Sequence, residues 1–240
     1  MSEWKARRFW TSATVAQAGD GWQVLLDGRP VRTPGKQPLI LPGRALALAI
    51  AAEWDAQADA IDPQSMPLTR AANSALEKVA GQAGAVADML CEYGATDLLC
   101  YRAAHPPQLA ARQAAAWNPL LDWLAGQGAR LVATQGVMPV AQDAAALAAL
   151  RARLAALSPW ELTALHDLVT LPGSLVLGLA VLDGRITADE AHALSRLDED
   201  FQAEEWGRDD EAEAAAAGRR AAMQSAERLL TLLRAQAAPG

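Results

Sequence analysis

At Arg44 the spacing of apolar residues changes from short, turn-bounded runs to a four-residue repeat. Before it, Arg8-Phe9-Trp10, Trp22 to Leu26 and Leu39 to Leu41 are too short for helices and read as strands. Asp27-Gly28 is a hairpin turn signal. Arg29-Pro30-Val31-Arg32-Thr33-Pro34 continues extended, because a proline pushes the residue before it towards β or polyproline geometry. After Arg44, the side chains of Leu46, Ile50 and Trp54 fall on one helical face. The chain therefore reads as α+β: a small β-rich N-terminal domain over residues 1–42, followed by a larger, mainly α-helical bundle domain over 43–240.

Within the second part, Leu68, Ala72, Ala75, Leu76 and Val79 mark one helix, and Val86, Leu90 and Tyr93 the next. The run Asp97 to Arg102 fits either a strand or a helical turn. Leu109, Gln113 and Trp117 share a face, after which Asn118-Pro119 restarts the helix: Asn caps well and Pro is tolerated at the first helical position. Ala129 to Thr134 reads as an isolated strand with the N-terminal sheet as an available partner. Ser158-Pro159-Trp160-Glu161 and Thr187-Ala188-Asp189-Glu190 carry the capping-box pattern, in which each side chain satisfies an orphan N–H at a helix start. Ser174 to Leu182 is apolar on all sides, as a central core helix is. Asp209 is placed to cap the last helix, with Met223, Leu230 and Leu233 on its apolar stripe.

Chemistry is mostly excluded. There is no GxxxxGK[ST] loop and no GxGxxG after a strand. His105, His166 and His192 are scattered, and Cys91 and Cys100 lack metal or disulfide spacing. No catalytic residue, metal or cofactor is expected. The net charge of −7 is unevenly spread: residues 1–44 hold seven Lys/Arg against three Asp/Glu, the remainder 14 against 25. Without a basic stripe, nucleic acid is not a partner. A basic protein suits the acidic part. With no apolar run near the length of a membrane span and no signal core at the start, a cytoplasmic protein is expected, with no membrane insertion.

Four clusters invite a functional reading. Leu26 to Pro34, LDGRPVRTP, is a solvated hairpin or an arginine-bearing recognition loop. Glu53 and Gln57 beside Trp54 are helix packing or a polar contact. Met66 to Asn73, MPLTRAAN, is a helix cap or a recognition turn. The fourth holds nine acids between Asp198 and Glu213, opposed within that span by Arg208 alone. Like charges at helical neighbour spacing cost a few tenths of a kcal/mol per pair, roughly. The acids form a docking surface or a solvated junction.

Taken in order, Arg8-Phe9-Trp10, LDGRPVRTP at 26–34, Glu53-Trp54 with Gln57, MPLTRAAN at 66–73, DLLCYR at 97–102, Gln113 with Trp117 and Pro119, and LDEDFQAEEWGRD at 197–209 resemble the family of assembly chaperones for the α subunit of the ATP synthase catalytic head. The pieces cover most of the chain. Phe201 and Asn118 depart from the pattern, which has a larger aromatic and an acid there. The resemblance implies a small N-terminal α/β layer, a helical C-terminal bundle, and a non-enzymatic protein that holds the free α subunit until the β subunit replaces it. The client surface is expected at Asp198, Glu199, Gln202 and Trp206, with Arg29, Arg32, Glu53 and Arg70 as further partner contacts and a monomer as the working form. Leu194, Leu197 and Phe201 are expected to bury one face of the acidic helix, with Trp206 packed near its end, where Gly207 lets the chain turn. Two other readings are a generic acidic adaptor for another basic protein, and an enzyme in which some of Asp198, Glu199 and Glu53 converge in one pocket.

Overall fold

The computed structural model describes residues 7–136 and 138–235. They form two compact units: one holds the described residues up to Gly81 with those from Arg228 onward, the other spans Gln82–Glu227. A small N-terminal sheet is followed by helices, as the change of period at Arg44 predicts.

In the first unit, β1 (Ala13–Ala18), β2 (Gly21–Leu26) and β3 (Arg29–Pro30) make an antiparallel sheet in that order. Asp27 and Gly28 join β2 to β3 with φ of 46° and 80°, the pair of positive angles that matches the twist of a two-residue hairpin. The Asp27 carboxylate also accepts the Thr11 and Ser12 N–H groups, which fixes the entry to β1. Those two backbone donors hold its carboxyl below the usual range. Gly21 is required by contact: a Cβ there would lie 2.6 Å from Ile40 and 2.8 Å from the Leu41 carbonyl oxygen. The inner sheet residues Val24 and Leu26 pack with Leu46 and Ile50 of α1 (Arg44–Asp55). Because α1 closes over the sheet and α2 (Pro67–Ser74) packs on α1, the unit continues past residue 42 to Gly81.

Three local expectations change. The first strand is Ala13–Ala18, not Arg8 to Trp10; its composition carries no apolar alternation. Arg8 instead binds carbonyls of Trp10, Thr11, Asp55 and Gln57, and Trp10 stacks edge-on against Trp54 at 5.2 Å. Leu39 to Leu41 contributes a single bridge from Leu41 to Trp22. The helix expected over 68–79 is α2 followed by a π-turn over Ala75–Val79.

The second unit contains α3 (Ala83–Ala95), β4 (Tyr101–Arg102), α4 (Pro107–Gly126), β5 (Thr134–Gln135), α5 (Ala144–Ala155), α6 (Pro159–Thr170), α7 (Leu175–Leu182), α8 (Ala188–Ser195), α9 (Leu197–Trp206) and the start of α10 (Asp210–Arg234). Every residue of α7 is buried, and α3, α4, α6 and α8 pack around it. At Gly178 a Cβ would meet Val169 at 2.5 Å, so glycine sets the approach of α6 to α7. Asp97, fully buried, ties the segment after α3 to the start of α7: it accepts from Leu99 N, Val176 N and Ser174 Oγ at 3.0, 2.9 and 2.7 Å. Burial pushes its carboxyl up to about 6 against those three donors. Ser174 caps α7 through Leu177 N, and both expected capping boxes form. α4 runs unbroken through Asn118-Pro119; its ring leaves one N–H bond unmade without ending the helix. The strand expected over 129–134 does not join the N-terminal sheet: only Thr134 and Gln135 pair, in parallel, with Tyr101 and Arg102. Ala129 and Leu131 point inward without a ladder.

Candidate functional site

The acidic segment lies on α9, and α4 fixes one side of it. Gln113 of α4 is fully buried. Its Oε1 accepts from Ala103 N at 2.8 Å, and its Nε2 donates to Asp198 Oδ1. One turn on, Trp117 Nε1 donates to the Leu194 carbonyl at 2.9 Å, near the end of α8. Arg112 donates to both Glu204 oxygens, at 2.9 and 2.8 Å, and its guanidinium lies over the Phe201 ring at 5.3 Å. Asp198, Phe201 and Glu204, spaced i, i+3 and i+6, therefore face α4.

A buried arginine fixes the other side. Arg196, between α8 and α9, reaches Glu199 at 3.1 Å, Asp200 at 3.2 Å and Glu213 of α10 at 2.9 Å. Arg219 of α10 adds a 3.5 Å contact to Glu199. A guanidinium so buried is costly unless surrounded by anions, which accounts for three of the acids in physical terms. Asp209 caps α10 through Glu211 N and Ala212 N. Six of the nine acids thus have internal work; the side chains of Glu205, Asp210 and Glu211 make no hydrogen bond or ion pair among the described residues.

The exposed residues of α9 are Glu199, Asp200, Gln202, Glu204, Glu205 and Trp206. Glu199, paired with Arg196 and Arg219, lies in line with Gln202 and Trp206 at i, i+3 and i+7. Gln202, Glu205 and Trp206 carry no ion pair or side-chain hydrogen bond among the described residues. Trp206 is not packed: it is 82% exposed. Gly207, at φ 94°, turns the chain away at that point and leaves no element over the indole. Leu194, Leu197 and Phe201 do not form one stripe, since Arg196 breaks the helix and places Leu194 in α8; all three are half-buried.

The remaining candidates belong to the first unit. Glu53 turns inward and accepts from Leu68 N, Thr69 N and Thr69 Oγ1 at 2.7, 2.8 and 2.7 Å, a carboxylate cap on the start of α2. Gln57 braces it, donating to Glu53 O and accepting from Asp62 N. Arg29, Arg32 and Arg70 are exposed; Arg32 donates to the Lys36 carbonyl at 3.0 Å, and Arg29 and Arg70 have no side-chain partner among the described residues.

The reading that missed most was that of the cations around the acids. Arg196 was legible from its i+3 and i+4 spacing to Glu199 and Asp200; Arg112 and Arg219 come from other helices and leave no local signal. A groove of about 460 Å³ beside α9 is lined by His192, Arg196, Asp200, Glu204, Arg208 and Arg220, among others, and not by Asp198 or Glu199. Asp198 is held by Gln113 and Glu53 caps α2, and neither lines this groove. No cluster able to hold a metal ion occurs among the described residues, and no described helix is long and apolar enough to cross a membrane.

The family described as ATP12 chaperone protein matches residues 7–125. The crystal structure of Atp12 from Paracoccus denitrificans superposes with a TM-score of 0.93 at 63% identity, over 96% of this chain and 99% of that one. An aspartate-to-lysine mutant of the same protein gives the same figures. A protein from Agrobacterium tumefaciens, 43% identical, superposes with a TM-score of 0.91 over 95% of this chain and 86% of that one. The mitochondrial atp12 protein of Schizosaccharomyces pombe is 26% identical over 215 residues, 84% of this chain and 74% of its own length. The likeness extends through both units, so the chain belongs to the ATP12 chaperone family.

Proposed function

We propose that this chain chaperones ATP synthase assembly by holding the unassembled α subunit until the β subunit replaces it. Family membership supports the chaperone role. The observation that carries the surface assignment is that Arg112, Gln113 and Arg196 hold α9 in place while Gln202 and Trp206, and Glu199 despite its ion pairs, remain exposed, with Asp198 at the edge. A helix already held in place loses little backbone freedom on docking. Its polar character suits a complex that must later be exchanged, whereas an apolar interface of the same size resists release. Arg29, Arg32 and Arg70 are further contacts in this reading. Glu53, facing inward, shapes the start of α2. The protein works as a monomer in the bacterial cytoplasm, without cofactor or catalysis.

The test is suppression of α-subunit aggregation, with the β subunit as control. Glu199→Lys is a poor probe, because it sets a third cation beside Arg196 and Arg219. Gln202→Lys adds a positive charge to this face without replacing a member of an ion pair. It should change stability by less than ~0.5 kcal/mol and weaken α-subunit capture. Parent protein that leaves α-subunit aggregation unchanged, or that binds unrelated basic proteins equally well, favours the adaptor reading instead.

A further inference from the structure

The C-terminal corner of α9 combines three features. Trp206 presents its indole to solvent and makes no hydrogen bond, ion or ring contact among the described residues. Elsewhere in this chain arginines cover aromatic faces: Arg8 over Trp10, Arg44 over Trp22, Arg102 over Trp117, Arg112 over Phe201 and Arg185 over Trp123, at 5.1 to 6.0 Å. Trp206 has no such cover. Its neighbour Arg208 reaches Glu213 at 3.6 Å instead.

The second feature is charge. The last turn of α9 holds no basic residue, and the helix ends with its carbonyl groups and the negative end of its dipole at Trp206. Glu204 in that turn is neutralised by Arg112; Glu205 is not. An acid at a helix C-terminus is unfavourable, so Glu205 is in place at a cost to the free protein. The third feature is geometry: Gly207 at φ 94° ends the helix and turns the chain at the indole, and the exposed acids Asp210 and Glu211 follow in sequence.

We propose that Glu205 and Trp206 form a receptor for an arginine side chain on the client, with the guanidinium stacked on the indole and paired with the Glu205 carboxylate. A guanidinium is planar and weakly hydrated, so it meets a ring face and a carboxylate together better than an ammonium does. This rests on the α-subunit reading above and gives that surface its chemistry: the partner presents a basic segment, and the indole acts as a cation platform rather than as an apolar plug.

The experiment titrates purified α subunit with the parent, Trp206→Phe, Trp206→Leu and Glu205→Gln. The two Trp206 variants should melt like the parent, since the indole has no internal partner, and Glu205→Gln should melt slightly higher, because it removes an acid from a helix C-terminus. The leucine variant should bind about 2- to 30-fold more weakly, the range a cation–π contact spans between exposed and desolvated settings. Phenylalanine should retain part of the affinity, because it keeps a weaker ring face. Glu205→Gln should bind more weakly and lose affinity less steeply with added salt. A leucine variant that binds as well as the parent overturns the receptor while leaving the α-subunit reading in place. A leucine variant that matches phenylalanine shows an apolar contact and overturns it equally. Parent protein that does not bind the α subunit overturns both.

Discussion

Replacing Glu53 by alanine removes a carboxylate that three buried donors share. Leu68 N, Thr69 N and the Thr69 hydroxyl would lose their acceptor at once. Losing a helix cap alone costs ~0.5–2 kcal/mol. A buried donor left unpaired costs ~1–3 kcal/mol, less where water reaches it. Since the site is more enclosed than a surface cap, the sum is about 3 kcal/mol, or a fall in Tm of roughly 6–12 °C for a protein of this size. Glu53→Gln fills the same space but offers one acceptor and one amino group, so Leu68 N or Thr69 N faces a donor; about 2 kcal/mol should be lost. Thermal melting followed by circular dichroism measures both. α-subunit capture, assayed well below the lowered Tm, should match the parent, because the carboxylate faces inward. Parent-like melting with lost capture would refute the capping argument and make Glu53 a direct contact.

Asp97→Asn should destabilise the protein by about 2 kcal/mol, because an amide cannot accept from Val176 N on one side and from Leu99 N and Ser174 Oγ on the other. The parent carboxyl is pushed up to about 6 from 3.8. Its pH-linked contribution is therefore fullest below the lower value and is lost as pH rises through the upper one; urea unfolding between pH 4 and 7 should show this slope in the parent and lack it in the asparagine variant. Gly178→Ala drives a methyl to 2.5 Å from Val169 and 3.2 Å from the Leu168 carbonyl oxygen, which should cost ~1–3 kcal/mol by overpacking, seen as a lower urea midpoint.

The helices were legible because their signals are local. Both capping boxes, the Ser174 cap and the Asp209 cap can be read within four residues, and each forms. Asp27-Gly28 likewise dictates its hairpin. What sequence does not show is competition between distant groups. β1 is a strand because β2 pairs with it, not because Ala13 to Ala18 is strand-like. Pro119 reads as a helix start but sits inside α4, where packing of Trp117, Leu120 and Leu121 outweighs one missing bond. On α9 the outward residues follow from the spacing, whereas the inward assignment of Asp198 depends on Gln113, 85 positions away. Glu53 looks like a free carboxylate until α2 is placed beside it.

Gln113 also limits how this sequence can drift. Its amide is used in both directions, as acceptor for Ala103 N and donor to Asp198, so it cannot be turned round. Glutamate at 113 would keep the first bond and set two carboxylates face to face in the second. A lineage can reach that glutamate only by way of a donor such as asparagine at 198, which is itself harmless while Gln113 remains. Substitutions at the two positions are thus ordered in time, and exchanges between diverged relatives that split the pair should fail even when each parent works.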